Sequence, residues 1–518
     1  MSYSELNQLA LAEELFDAGK LDEAFEILND RVQFEELNSQ QKDYFQLLKG
    51  LILFYQWKSD ELIEYGEQIF QEGQNFNDSL QSFDGLFFII IGLASAEKYE
   101  EALPKIETAE GYLGLISDLS KNVFFQRKAR IRLLKGWVNL ELNKLDVAEK
   151  CLNWIINSHN KLGNTFEIVY ANFLKGRLVF QGKKMYTLGG EYMRKAVSIA
   201  KQIKFNHFWI ALGQFLLGAH YSHLGEVDIG LKYNLKSLAI FRQIKNNYFI
   251  AMALTNIGAN YFQLGNFNLG REYAEECLSY QETLSLALDF SLSNLVEVAL
   301  EIGDNELVQK YYNQLKNLYN QKKDALSELV YLSTKALMLK KSSRIRDKAK
   351  AEKIYRKIID TDTLWSQFTI NATVQLCDLL LSEYRFTNSN DVLEELNHCI
   401  TQLLTIAEKT HSYIVFCETF LLQAKLALLN LDMKAARRYL TQAQKIAEKY
   451  GIKRLAMKIS HEHDELLGQI NLWEKLKDSE SSLTERWKLA GVKDHMENMV
   501  RKRAIEIPEL SDEKPILL

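Results

Sequence analysis

The sequence predicts an all-α fold, an α-solenoid superhelix of about ten or eleven stacked helix-turn-helix hairpins. Three observations carry that expectation. First, one phrase occurs twice, beginning at Leu217 and again at Ile257. It reads Leu217-Gly218-Ala219-His220-Tyr221 followed by Leu224-Gly225, then Ile257-Gly258-Ala259-Asn260-Tyr261 followed by Leu264-Gly265. Second, the 518 residues contain only 3 prolines, so the Pro-rich linkers that separate globular domains are missing and one continuous array is expected. Third, Leu254, Ile257, Gly258, Tyr261 and Phe262 follow the three-and-four spacing of a buried helical stripe.

Each hairpin is marked at its turn by a short box: an apolar residue, a polar one, any residue, then a small one. The boxes run Leu21 to Ala24, Tyr99 to Ala102, Leu145 to Ala148, Val227 to Gly230, Phe267 to Gly270 and Met433 to Ala436. The small residue stands where two helices approach closely. Degenerate copies fall near Leu62, Gly190, Val308, Ala351 and Leu393. Pro104, just after the second box, is expected in the first turn of its helix, where no intrahelical N–H is lost. Second helices repeat as well: Ile406-Ala407-Glu408-Lys409 returns as Ile446-Ala447-Glu448-Lys449. The array is expected over 1–452 and a long capping helix over 453–478. An amphipathic helix over 479–503 and a tail over 504–518 follow, the tail being disordered or the start of a further domain.

The small, aromatic and turn residues resemble the tetratricopeptide repeat family, as a divergent array with a period of about 40 rather than the usual ~34. Ile257-Gly258, Tyr261, Gly265, Phe267 and Gly270 match best, Leu217-Gly218, Tyr221 and Gly225 next; Gly136 and Gly176 keep only the glycine. The resemblance implies first helices lining a concave groove. Projected onto this chain, it places Trp137, Tyr170, Phe173, Phe180, Phe215, His223, Met252 and Phe262 on the inner face. Aromatic and Met side chains there suit an apolar or amphipathic helical ligand. The same aromatics also fit an inter-repeat core. The family's carboxylate clamps present Lys and Asn inward; here those places hold Phe173, Phe215, Thr255, Ala219 and Ala259.

Catalytic chemistry has no carrier. No Gly-x-x-x-x-Gly-Lys-Ser/Thr loop and no Gly-x-Ser-x-Gly elbow occurs, and the 5 cysteines lack close pairing, so no metal, cofactor or enzymatic activity is expected. In His461-Glu462-His463-Asp464-Glu465 the two histidines lie about 200° apart on a helix and cannot share one ion. His220 and His223 share a face without a carboxylate one turn away. The basic stretch from Lys340 to Lys350 lacks interleaved aromatics for base stacking and reads as a solvated turn. A net charge of −5 gives no general attraction to nucleic acid or anionic membrane. The apolar run Leu86 to Leu93 is too short to span a bilayer. Without an evident leader, the expected location is cytoplasmic. The expected function is a non-enzymatic interaction scaffold that holds a protein or peptide in the groove. The alternative is a regulatory sensor array for a small ligand or peptide. Self-association through the C-terminal helix is a further expectation; the partner itself is not encoded.

Overall fold

The computed structural model describes residues 3–116, 121–183, 185–280, 286–361, 366–387, 389–430 and 432–468. The far end of the expected capping helix, the 479–503 helix and the 504–518 tail lie outside them. Among the described residues the chain is all-helical and forms eleven hairpins. Hairpin 1 pairs Tyr3–Asp17 with Leu21–Glu26, hairpin 2 Ser39–Tyr55 with Ser59–Asn75, hairpin 3 Ser79–Ser95 with Tyr99–Leu115. Hairpin 4 pairs Lys121–Glu141 with Leu145–Asn157, hairpin 5 Phe166–Arg177 with Tyr186–Ala200, hairpin 6 His207–Leu224 with Val227–Gln243. Hairpin 7 pairs Asn247–Gln263 with Phe267–Leu278, hairpin 8 Leu286–Ile302 with Asn305–Lys322, hairpin 9 Ala325–Lys341 with Ile345–Ile359. Hairpin 10 pairs Ser366–Thr387 with Asn390–Thr410 and hairpin 11 Tyr413–Leu429 with Met433–Lys449, before a single helix, Lys453–Gly468.

One backbone device makes most of the turns. In hairpin 6 the Gly225 N–H bonds to the Ser222 carbonyl and the Glu226 N–H to the Tyr221 carbonyl, with Gly225 at φ +94°. The same pair of bonds closes hairpin 1 at Gly19 and hairpin 7 at Gly265. This ending satisfies the last carbonyls of the first helix and needs a left-handed residue. Hairpins 2, 3 and 4 build it on Trp57, Glu97 and Asn143, at φ +60°, +62° and +59°. An L side chain there costs roughly 1–2 kcal/mol. These three turns therefore carry no glycine signal in the sequence.

The box residues are buried at helix crossings: Ala24, Ala102, Ala148 and Ala436 have no exposed surface, and a Cβ on Gly270 would collide with the Phe262 ring. Pro104 departs from expectation. It is the sixth residue of Tyr99–Leu115, past the first turn, so the Glu100 carbonyl loses its usual i+4 donor. The helix tolerates this because Pro104 lies on the exposed side, where water can serve that carbonyl.

The chain divides into two compact units, residues 1–218 with 233–253, and residues 219–232 with 254–518. The first unit closes on itself. Phe16 stacks on Phe205 at 4.4 Å, Tyr55 on Phe208 at 4.9 Å and Trp57 on Tyr248 at 5.1 Å, so hairpins 1 and 2 meet the far end of their own unit. Asn246 Nδ2 donates to the Tyr55 carbonyl at 2.8 Å, and the Asp17 carboxylate accepts the Phe205 N–H at 2.8 Å. In consequence the first helices of hairpins 3 and 5 are buried all round, over Gly85–Ser95 and Glu167–Gly176. Such helices belong to a core rather than to a surface layer.

Candidate binding surface

The structure places six of the eight side chains expected on the inner face in packed interior. Trp137, Tyr170, Phe173, Phe180, Phe215 and Phe262 are each 8% exposed or less; Met252 and His223 keep part of their surface. Trp137 packs against Trp57 and Tyr170, Tyr170 in turn against Trp209, and Phe215 edge-on against Phe249. For Trp137, Tyr170 and Phe215 the cause is the closure just described, whereas Phe262, in the second unit, packs over Gly270 of its own hairpin. Once hairpins 1 and 2 reach residues 205–249, the inner face of the first unit becomes an aromatic core. Ion pairs tie its first helices together: Arg127 to Asp84 at 2.6 Å, Arg130 to Glu167 at 3.2 Å and Arg177 to Glu141 at 2.7 Å. The Glu141 carboxylate beside Arg177 holds that guanidinium above its ordinary range despite burial. His223 Nδ1 lies 2.8 Å from the Ala219 carbonyl, and burial lowers its pKa from the ordinary value.

The second unit is lined differently. Contacts that skip hairpins show which side chains face its interior. Phe290 of hairpin 8 stacks near Phe368 of hairpin 10 at 5.9 Å, and Arg454 of the final helix reaches Glu297 and Glu301 of hairpin 8. Along the same first helices, Ser293 and Thr334 share a hydrogen bond of 2.7 Å, and Lys340 donates to Asp378 at 2.9 Å. Lys425 stands 3.6 Å from the other Asp378 oxygen, so one carboxylate joins three successive hairpins. Lys458 lies 3.9 Å from Glu418. These charges balance in sign but are unevenly covered: Lys340 and Lys425 are 10% and 8% exposed, Glu297 and Arg454 43% and 35%. Here the interior offers polar side chains of both signs with Phe290 among them.

The residues singled out elsewhere find ordinary roles. Lys340, first of the basic stretch, points inward to Asp378 and Gln375, whereas Arg344, Ile345 and Arg346 lie exposed at the turn, Ile345 at 85%. All five cysteines are buried; burial pushes the Cys417 thiol up to about 12. His220 is buried at 3% exposure. The side chains of 461–465 lie outside the described residues. Among the described residues no trio of His, Cys, Asp or Glu is placed to hold a metal, and no helix is long and apolar enough to cross a membrane.

Residues 251–284, a stretch that includes most of hairpin 7, match the family model of the tetratricopeptide repeat. That hairpin is tetratricopeptide-like. No curated protein matches the chain. Solved structures similar to it include a Rap protein complexed with Competence and Sporulation Factor, at 12% identity over 76% of this chain and 99% of that one, with a TM-score of 0.48. Another is NprR in complex with its cognate peptide NprX, at 15% identity over 68% of this chain and 98% of that one, TM-score 0.42. A third is the apo form of the quorum sensor NprR from B. thuringiensis, at 13% identity over 76% and 99%, TM-score 0.43.

The polar lining of the second unit has no compact sequence signal. Glu297, Lys340, Asp378 and Arg454 stand on four different hairpins or helices, and each looks like a solvated helix residue until the interior contacts are known.

Proposed function

We propose that this tetratricopeptide-like protein is a non-enzymatic scaffold that binds a peptide or helical protein segment on the inner face of its second unit. The carrying observation is the contrast in lining. The first unit's inner face is filled by aromatic side chains, while the second presents Ser293, Glu297, Glu301, Gln375 and Arg454 with partial exposure, and Phe290 on the same helix as Ser293 and Glu297. A surface with fixed donors and acceptors beside an aromatic ring suits an extended or helical segment, whose own polar groups it can pair while one apolar side chain is covered. Of the two expected side chains that keep part of their surface, His223 belongs to this unit and stays in the proposal.

The test is fluorescence polarisation with labelled peptide pools of defined charge, using the full chain and its Glu297→Lys and Gln375→Glu variants, with helicity checked by circular dichroism. A pool that binds the native chain and loses about tenfold or more in affinity to both variants supports the reading. Unchanged affinity for the variants would move the site off this face. Failure of every pool to bind the native chain would end the peptide reading.

A further inference from the structure

The first helix of hairpin 4 is strongly basic. Lys121, Arg127, Lys128, Arg130, Arg132 and Lys135 all precede its first acid, Glu141. The stretch from 150 to 166, which covers the end of the facing helix and the short helix His159–Leu162, holds no acid at all. Helical spacing divides the cations between two sides. Arg127 and Arg130 turn to Asp84 and Glu167, and Lys135 takes Glu110 at 2.9 Å. Lys128, Arg132 and Lys161 meet no carboxylate among the described residues.

What they meet instead is aromatic. The Arg132 guanidinium lies over the Trp154 ring at 4.5 Å, and the Lys128 ammonium stands 5.7 Å from the same ring. Lys161 is 5.6 Å from Phe125, whose ring packs against Trp154 at 5.2 Å, and Lys128 is 5.7 Å from Phe124 as well. The three rings are half-buried, so the packing of the hairpin holds them. A cation resting on a ring face is steadied by the ring's quadrupole and keeps its N–H donors. For a guanidinium the planar fork stays free at its edge, in the geometry that matches a carboxylate. Three cations without counter-charge, placed in advance by their rings, make a surface whose complement is an anion.

We propose that this face of hairpin 4 docks an acidic segment of a partner protein, with Arg132 at its centre and Lys128 and Lys161 beside it. Carboxylates suit it better than other anionic partners. A nucleic acid strand needs bare ring faces for its bases, and the Trp154 ring already carries Arg132. An anionic membrane needs exposed apolar side chains to enter it, and no Leu, Ile, Met or Phe from 123 to 163 is exposed among the described residues. The surface belongs to the first unit, so the inference does not rest on the peptide reading of the second.

Fluorescence polarisation of the full chain with a labelled glutamate decapeptide tests it, with a glutamine decapeptide as the neutral control. The native chain is expected to bind the glutamate peptide and not the glutamine one, and to lose affinity as salt rises. Lys128→Gln with Arg132→Gln should weaken binding about tenfold or more, and Trp154→Leu, which keeps every charge, about threefold because Arg132 loses its support. Lys161→Glu alters an exposed side chain and should also cost about threefold or more with an unchanged thermal melt, so a folding defect in the other variants cannot imitate the effect. Absence of binding by the native chain, or equal affinity in all the variants, would overturn the proposal. So would tighter binding of decathymidylate or of phosphatidylserine vesicles that the same variants abolish, which would give the surface to nucleic acid or membrane. Glu297→Lys should leave the glutamate peptide unaffected; a change there would move acid binding to the second unit and overturn the assignment to hairpin 4.

Discussion

Removing the Trp57 side chain should weaken the first unit more than an ordinary half-buried residue would. Its indole is wedged among Phe54, Trp137, Phe208, Tyr248 and Phe249, with ring centroids 4.8–6.2 Å away, and its N–H donates to the Ser95 carbonyl at 3.0 Å. A tryptophan in such a place covers on the order of 150–200 Å² of apolar surface, about 4–5 kcal/mol at ~25 cal/mol per Å². The alanine left behind recovers part of that, and the lost hydrogen bond adds about 1 kcal/mol, so Trp57→Ala is expected to cost roughly 3–5 kcal/mol. The backbone supplies a second, opposite effect. Because residue 57 sits at φ +60°, glycine is relieved of the left-handed penalty, and Trp57→Gly should be up to about 1–2 kcal/mol more stable than Trp57→Ala. In an ordinary helix the order would be reversed. Urea unfolding followed by circular dichroism measures the totals, and hydrogen exchange assigns the loss to residues 39–57 and 205–249. A cost below about 1 kcal/mol for alanine, or glycine worse than alanine, would refute the closure argument.

Three further outcomes follow from the packing. Phe215→Glu buries a carboxylate against Phe249 and should lower stability by about 3 kcal/mol or more, while Phe215→Leu costs under about 1.5 kcal/mol; a freely folding Phe215→Glu chain would mean that the inner face of the first unit is open. Gly111→Ala and Gly114→Ala, with no atom near the new Cβ, should each stabilise by roughly 0.5–1 kcal/mol, whereas Gly50→Ala would strike the Phe88 ring and destabilise; thermal melts give the sign. His223 has its pKa lowered by burial, so the unfolded chain binds its proton first as pH falls below the ordinary value of 6.5. Stability should drop from there until the folded-state pKa is reached, and His223→Gln should flatten that slope in denaturant titrations between about pH 7 and 5.

The period and the turn boxes were readable because they follow local rules. Ala24 or Gly270 must be small wherever the hairpin lies, and an echo such as Leu217-Gly218 with Ile257-Gly258 needs no tertiary knowledge. The turns built on Trp57, Glu97 and Asn143 have no glycine to read, and only the boxes that follow them, near Leu62, at Tyr99 to Ala102 and at Leu145 to Ala148, marked their hairpins. The inner-face assignment from Trp137 to Phe262 projected each hairpin onto its own neighbours but knew nothing of contacts between opposite ends of a unit. Those contacts decide whether an aromatic such as Phe173 faces a ligand or a core.

The two units are interleaved along the chain, because 219–232 belongs to one and 233–253 to the other. No single cut can therefore separate them, and a fragment ending at 218 would leave Trp57 without Tyr248 and Phe249. The ribosome faces the same order of events. At roughly 5–20 residues per second, about 10–40 s pass between the emergence of Trp57 and that of its stacking partners. For that interval Phe16, Tyr55 and Trp57 present bare aromatic surface, which makes the early nascent chain a natural client for chaperones that hold apolar segments.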